Sequence, residues 1–353
     1  MYHCPTVSLV PAPRPGHRPL SMRLPFLALL LGGLLSCGSR TGLFTSVAND
    51  AGNALPDGVA PDVDASVADA GADAFDEDAS EEDALPPIDV SPPMPINDCP
   101  DAGSTLVYLI AEDGMLMSFY PPTGGFTTIE RILCPALPLE NPFSMAVDRT
   151  GVAYILFSNT DHTFGELFRI STKPGSPCQP TRFQSGEQGF AASFGMGFSS
   201  DKLDAGETLF VAGDSPSSSV LASLDTKSYA LGIVGAFNPP IGQPELTGTG
   251  AGDLFAFYGV PVGTLTPPGS AIGQIDKATG RIAAQSNLPG VAQGNAWAFA
   301  FWGGDFYTFT QPDVAGTSSV VTRFRPSDGT IVQVGRSDHV IVGAGVSTCA
   351  PQQ

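Results

Sequence analysis

The sequence predicts an all-β fold, a five-bladed propeller of repeated four-stranded sheets, and three observations carry that prediction. The first is a period: Ser144, Gly195, Leu246 and Trp297 open similar apolar runs and stand 51 residues apart. The second is a companion period further along each unit, at Phe119, Ile170, Leu224, Ile275 and Phe324, with spacings of 51, 54, 51 and 49. A fixed repeat of this size over short strands marks a propeller or a similar array. The third is register. The first unit opens on a second strand, Thr105-Leu-Val-Tyr-Leu-Ile, with no first strand ahead of it. The missing strand stands at the other end of the chain, in Val340-Ile-Val-Gly-Ala-Gly-Val-Ser-Thr. A C-terminal strand completing the N-terminal blade closes the ring and leaves no long sheet edge open to aggregation. This count gives five blades, and a sixth would require a unit hidden in the glycine-rich loops of residues 226–271.

Residues 1–36 read as an export signal. Arg23 precedes an apolar run over residues 24–35, too short for the roughly 20 residues of a spanning helix. A short apolar core behind a positive charge, ending in small residues, is a secretory signal. The proline-rich stretch before Met22 makes a poor start to such a signal, which points to Met22 as the true first residue. Leu34-Leu35-Ser36-Cys37 resembles a bacterial lipobox. That resemblance implies that Cys37 is acylated, becomes the new N-terminus and anchors the chain in membrane lipid. Gly38 follows it rather than Asp, which by the same resemblance directs the protein to the outer membrane of the cell envelope. The alternative is an ordinary signal with a fortuitous cysteine.

Residues 37–98 read as a linker. Between residues 41 and 100 there are 14 acidic residues and no Lys or Arg, in an Asp/Ala/Pro/Val background with near-repeats such as Asp69-Ala-Gly-Ala-Asp. One-signed charge and few large apolar residues cannot offset the entropy of ordering, so disorder is expected. The Asp repeats lack the regular spacing of calcium-binding repeats. The chain as a whole carries 35 acidic and 16 basic residues, a balance that excludes nucleic acid as a partner, since phosphates demand Lys/Arg clusters.

Residues 99–353 are the propeller domain. Glu112-Asp-Gly and Pro121-Pro-Thr-Gly-Gly separate the first strands as hairpin and turn signals. Tyr108, Tyr154, Phe210, Phe255 and Tyr307 recur on the second strands, as large side chains packing between face-to-face sheets do. Cys99 lies before the first strand and Cys349 after the last, so strands paired in one blade would bring them together. Cys134 and Cys178 then remain as partners, although ideal blades put them at opposite ends of neighbouring strands. Four cysteines in an exported domain allow three pairings, and sequence alone does not choose.

The chain from Met22 onward resembles uncharacterised bacterial lipoproteins of the myxobacterial type, which join a lipobox, an Asp/Ala-rich spacer and a propeller-like domain. The residues that carry the resemblance are the lipobox, the spacer, Pro142-Phe-Ser-Met-Ala-Val-Asp148, Phe194-Gly-Met-Gly197, Trp297-Ala-Phe-Ala-Phe-Trp-Gly-Gly-Asp305 and Gly343-Ala-Gly-Val-Ser-Thr-Cys349. It implies a fold and a location, and no chemistry.

No catalytic residue, cofactor site or metal site is legible. The exported part holds two histidines, His162 and His339, both expected in loops, and no nucleophile elbow or His/Cys cluster. Gly248-Thr-Gly-Ala-Gly252 follows a strand but enters another strand, so a dinucleotide reading fails on context. Glu140, Glu187 and Glu245 precede first strands, with Gln188, Gln243, Gln293 and Asn295 at similar places. They are expected at one mouth of the ring, as ligand-binding acids and amides or simply as solvated loop residues. Trp297 and Trp302 stand as a sugar-stacking pair or as blade-packing core. The leading function is therefore a surface- or periplasm-facing lipoprotein whose propeller binds a polysaccharide or protein partner without catalysis. A propeller hydrolase acting on carbohydrate or lactone through paired carboxylates is the alternative.

Overall fold

The computed structural model describes residues 85–90, 99, 106–138, 140–201, 206–216, 219–313 and 315–353. By contacts the chain divides into Met1–Asp76 and Glu77–Gln353. The first unit, with the signal and Cys37, lies outside the described residues, as does the linker up to residue 84.

Among the described residues, twenty strands form five antiparallel sheets of four strands, and the sheets are the blades of a five-bladed propeller. Blade one holds β1 (Val107–Ala111), β2 (Met115–Tyr120) and β3 (Gly125–Arg131), completed on its inner side by β20 (Ile341–Val346). Blade two runs from β4 (Glu140–Val147) through β5 (Val152–Asn159) and β6 (Gly165–Ser171) to the two-residue β7 (Gln179–Pro180). Blade three comprises β8 (Phe194–Ser200), β9 (Glu207–Gly213), β10 (Val220–Leu224) and β11 (Leu231–Ala236). Blade four comprises β12 (Glu245–Gly248), β13 (Leu254–Gly259), β14 (Gly269–Ile275) and β15 (Ile282–Pro289). Blade five comprises β16 (Trp297–Trp302), β17 (Asp305–Thr310), β18 (Ser319–Arg325) and β19 (Thr330–Ser337). The expected closure is present: β20 pairs with β1, with Val107 opposite Val346 and Leu109 opposite Ala344.

Each blade is covered on both faces, which explains why inner strands read as continuous apolar runs rather than alternations. All of β1 and all of β8 are buried, whereas the outer strand β3 is mostly exposed. Five hydrophobic cores separate the five pairs of neighbouring blades. The recurrent aromatics fill them: Phe119 meets Phe309 and Tyr307 edge to face at 5.5 and 5.8 Å, and Phe306 packs on Phe255 at 4.8 Å. Turn chemistry sets the hairpins locally. In blade two the Asp148 carboxylate accepts the N–H of Thr150 and of Val152, each at 2.9 Å, and Gly151 supplies the left-handed residue at φ 80°.

Both expected disulfides form, Cys99–Cys349 and Cys134–Cys178. The second is reached because the chain leaving β3 folds in beside blade two, where Ile132, Cys134 and Ala136 pack on the core between blades one and two with Cys178.

One boundary differs from the sequence reading. Residues 85–90, assigned there to the linker, lie along β15 as a strap. The Pro86 carbonyl accepts the Gln285 N–H at 2.8 Å, and the Ile88 N–H donates to Ser286 Oγ at 3.3 Å. Ile88 is buried, Leu85 packs on the core between blades three and four, and Val90 on that between four and five. Composition averaged over an acidic window hid Leu85, Ile88 and Val90, whose spacing lets a short segment cap the outer edge of a blade.

Candidate functional site at the channel mouth

The first strands β4, β8, β12, β16 and β20 surround the centre of the ring and approach too closely for side chains at several points. A Cβ on Gly195 would meet the Pro244 carbonyl oxygen at 2.2 Å, and one on Gly248 would meet the Phe198 carbonyl oxygen at 2.2 Å. Below the mouth, Ser144 of β4 donates to Glu245 of β12 at 2.5 Å, a buried bond between blades that are not neighbours. At the far end a second buried network closes the ring. The Arg149 side chain reaches Thr348 of the C-terminal tail at 3.3 Å and Ser200 at 2.9 Å, and Glu207 accepts both the Arg149 N–H and the Thr348 hydroxyl at 2.7 Å. Burial raises the Glu207 pKa, against the hydrogen bonds from Arg149 and Thr348.

Above Glu245 the ring opens into a cavity of about 700 Å³ to which all five blades or their connections contribute, within the range of ordinary ligand sites. Asn141, Phe143, Asn159 and His162 come from blade two, Gly195 and Asp214 from blade three, Gln243 and Glu245 from blade four, Asn295, Trp297 and Gln311 from blade five, and Glu112 and Val342 from blade one. The polar lining is amide, hydroxyl and carboxylate, with Phe143 and Trp297 as its aromatic members. His162 sits edge-on to Phe143, ring centroids 5.1 Å apart, and its Nδ1 lies 3.7 Å from Asp214 Oδ2. Ser193 donates to the same oxygen at 3.4 Å. Asp214 Oδ1 is buried and finds no hydrogen-bond partner among the described residues.

Two lining residues, His162 at φ 55° and Gln243 at φ 48°, adopt the left-handed region without being glycine, a conformation that costs on the order of 1 kcal/mol or more and gathers at binding sites. Gln243 is braced there: its N–H donates to Ser215 at 2.8 Å and its carbonyl accepts the Gln293 side chain at 3.0 Å.

The predicted site residues separate. Glu245 reaches the mouth, but as a buried floor residue rather than a solvated loop acid, since it opens β12. Burial pushes its pKa well above the usual carboxylate range; Ser144 and the Met196 N–H oppose the shift and Asp214 reinforces it. Trp297 lines the cavity, whereas Trp302, at the other end of β16, packs against Tyr120 at 6.2 Å, so the two tryptophans do not form one platform. Glu140 does not line the cavity. It faces Glu166 of its own blade, and burial, with the hydrogen bond and charge of Glu166, pushes its pKa up to about 7. Glu187 lies in a single 3-10 turn, also outside the cavity lining, and Gln188 donates to the Leu231 carbonyl on the outer strand of blade three. Among the described residues no group of three or more His, Cys, Asp or Glu is placed to hold a metal ion.

Asp214 and His162 form the polar centre that sequence reasoning missed. The signal was topological: second strands end at the level where first strands begin, so Gly213-Asp214-Ser215-Pro216 after β9 had to surface at the mouth.

No protein-family model matches the chain, and no curated protein matches it in sequence. Matches to solved structures are of low identity. A chain of a nidogen/laminin complex is 11% identical, with a TM-score of 0.41, over 68% of this chain and 97% of the other. An exo-β-1,3-galactanase from Phanerochaete chrysosporium is 12% identical at a TM-score of 0.40, over 54% of this chain and 48% of the other, so this chain spans about half its length. Zg3597, a family 117 glycoside hydrolase from Zobellia galactanivorans, is 9% identical at a TM-score of 0.40, over 62% and 74%. These likenesses carry no functional argument.

Proposed function

We propose that this protein is a lipid-anchored component of the cell envelope whose propeller holds a polar, glycan-like ligand at the channel mouth, by binding rather than catalysis. The observation that carries the reading is the cavity itself. Blades two, four and five contribute amides from Asn141, Gln243, Asn295 and Gln311 around the rings of Phe143 and Trp297, and sugars are held by such many-sided hydrogen bonding beside an aromatic face. The anchor rests on the lipobox, with Cys37 as the acylated residue and the outer membrane as the destination. Binding of the whole chain, in detergent, to cell-wall and polysaccharide fractions tests the first part, and retention of none of them sinks it. For the anchor, Cys37→Ala should free the protein from membranes or leave the precursor unprocessed. A wild-type N-terminal peptide without acyl mass would overturn it.

One observation favours a hydrolase as second reading: Asp214 and Glu245, from neighbouring blades, both line the cavity, and Glu245 tends to keep its proton. A pair of carboxyl groups is what glycoside hydrolysis uses. Glu245, however, is committed to Ser144 at 2.5 Å, which places binding first. Turnover of aryl glycosides or lactones that disappears in Glu245→Gln would reverse that order.

A further inference from the structure

We propose that the ligand presents a protonated amino group, seated on Asp214, so that the cavity selects amino-bearing glycans over their neutral counterparts. The inference rests on the glycan-binding reading and adds to it the charge of the ligand. Its basis is an acceptor left without a donor. The Asp214 side chain is 7% exposed, and an ionised carboxylate offers about four acceptor positions. The structure gives it a 3.4 Å bond from Ser193 and His162 Nδ1 at 3.7 Å, both to Oδ2, while Oδ1 is buried with no partner among the described residues. Leaving a buried carboxylate oxygen unsatisfied is costly, and a charged donor relieves that cost better than a neutral one.

The surroundings point the same way. The lining contains Glu112, Asp214 and Glu245 and neither Lys nor Arg, so nothing fixed in the cavity neutralises Asp214 with a permanent charge. Phe143 and Trp297 also line the cavity, and the faces of aromatic rings attract cations. A bare metal ion fits poorly, since among the described residues no cluster of three ligating side chains exists. An ammonium fits, because its three N–H groups can be shared between one carboxylate and amide oxygens of the lining such as those of Asn141 and Gln243.

Three β-1,4-linked oligosaccharides that differ only at C2, carrying an ammonium, an acetamide or a hydroxyl, separate the outcomes. Calorimetry with the whole chain should give binding of the ammonium form at least about tenfold tighter than either neutral form, and Asp214→Asn should abolish the preference. The preference of the wild type needs no variant, so it stands as a test even if Asp214→Asn misfolds. Equal affinity for all three, or a preference that survives in a folded Asp214→Asn, overturns the proposal. Tighter binding of a neutral form overturns it while leaving the glycan-binding reading intact. Binding of none of the three overturns it as well, and the wider reading falls only if the polysaccharide fractions also fail to bind.

Discussion

A methyl group on Gly195 would stand 2.2 Å from the Pro244 carbonyl oxygen and 2.7 Å from Glu245 Oε2, and both neighbours are held in place, one by backbone and one by Ser144. Gly195→Ala should therefore push β8 and β12 apart and destabilise the ring by several kcal/mol, on the order of 1–3 or more, read as a lower melting temperature. Glu245 gives a prediction of the opposite sign. Its folded pKa is raised above the 4.5 it has when solvated, so its contribution is most favourable below pH 4.5 and is lost as pH rises towards the folded value. Unfolded chains release that proton above pH 4.5 while folded ones retain it, at about 1.4 kcal/mol per pH unit in the limiting slope. Glu245→Gln, neutral at every pH, should melt close to wild type at pH 4 and progressively above it towards pH 8. A constant difference across that range would mean that Glu245 is ionised in the folded ring. Glu140, raised to about 7 by burial and by Glu166, should add a weaker effect of the same sign, confined to the window between pH 4.5 and 7.

At the level of single elements, two segments from opposite ends of the chain finish the sheets. Removing residues 340–353 deletes β20 and Cys349 together, leaving β1 as an open inner edge; the product should aggregate or unfold without cooperativity in size-exclusion and melting experiments. The strap makes a smaller contribution. Ile88→Ala should cost about 2–4 kcal/mol if the site cannot collapse, and the Gln285 amide, whose bond to Pro86 holds the strap, should exchange hydrogen faster. These elements also mark what the sequence disclosed. Strand order, five blades and the closing strand were legible because the period of 51 residues repeats apolar runs that only a blade can bury. The strap was not legible, since three apolar side chains in an acidic window leave no periodic signal. The site was half legible: Trp297, Gln243 and Asn295 were placed at the mouth by their position before or at first strands. Glu140 was misplaced because it is already the first residue of β4, opposite Asn159, and its carboxyl group meets Glu166 of the same blade instead of the cavity.

For the whole molecule, the decisive covalent feature is the bond between Cys99 and Cys349, 250 residues apart. In solution it should stabilise the ring by about 2–5 kcal/mol, lost on Cys349→Ala or on reduction. Under tension it does something different. Every residue of the blades lies between the two sulfurs, so a pull applied to the chain ahead of Cys99 and to the C-terminus passes through Cys99 into Cys349 and bypasses the ring. The strap would peel first, and then the extension would stop with all five blades intact. Reduction would open the bypass, and the same pull would draw out the 250 residues it had shielded, about 900 Å of chain at roughly 3.6 Å per residue. Single-molecule stretching in the presence and absence of a reductant should show that length appear only when the bond is broken.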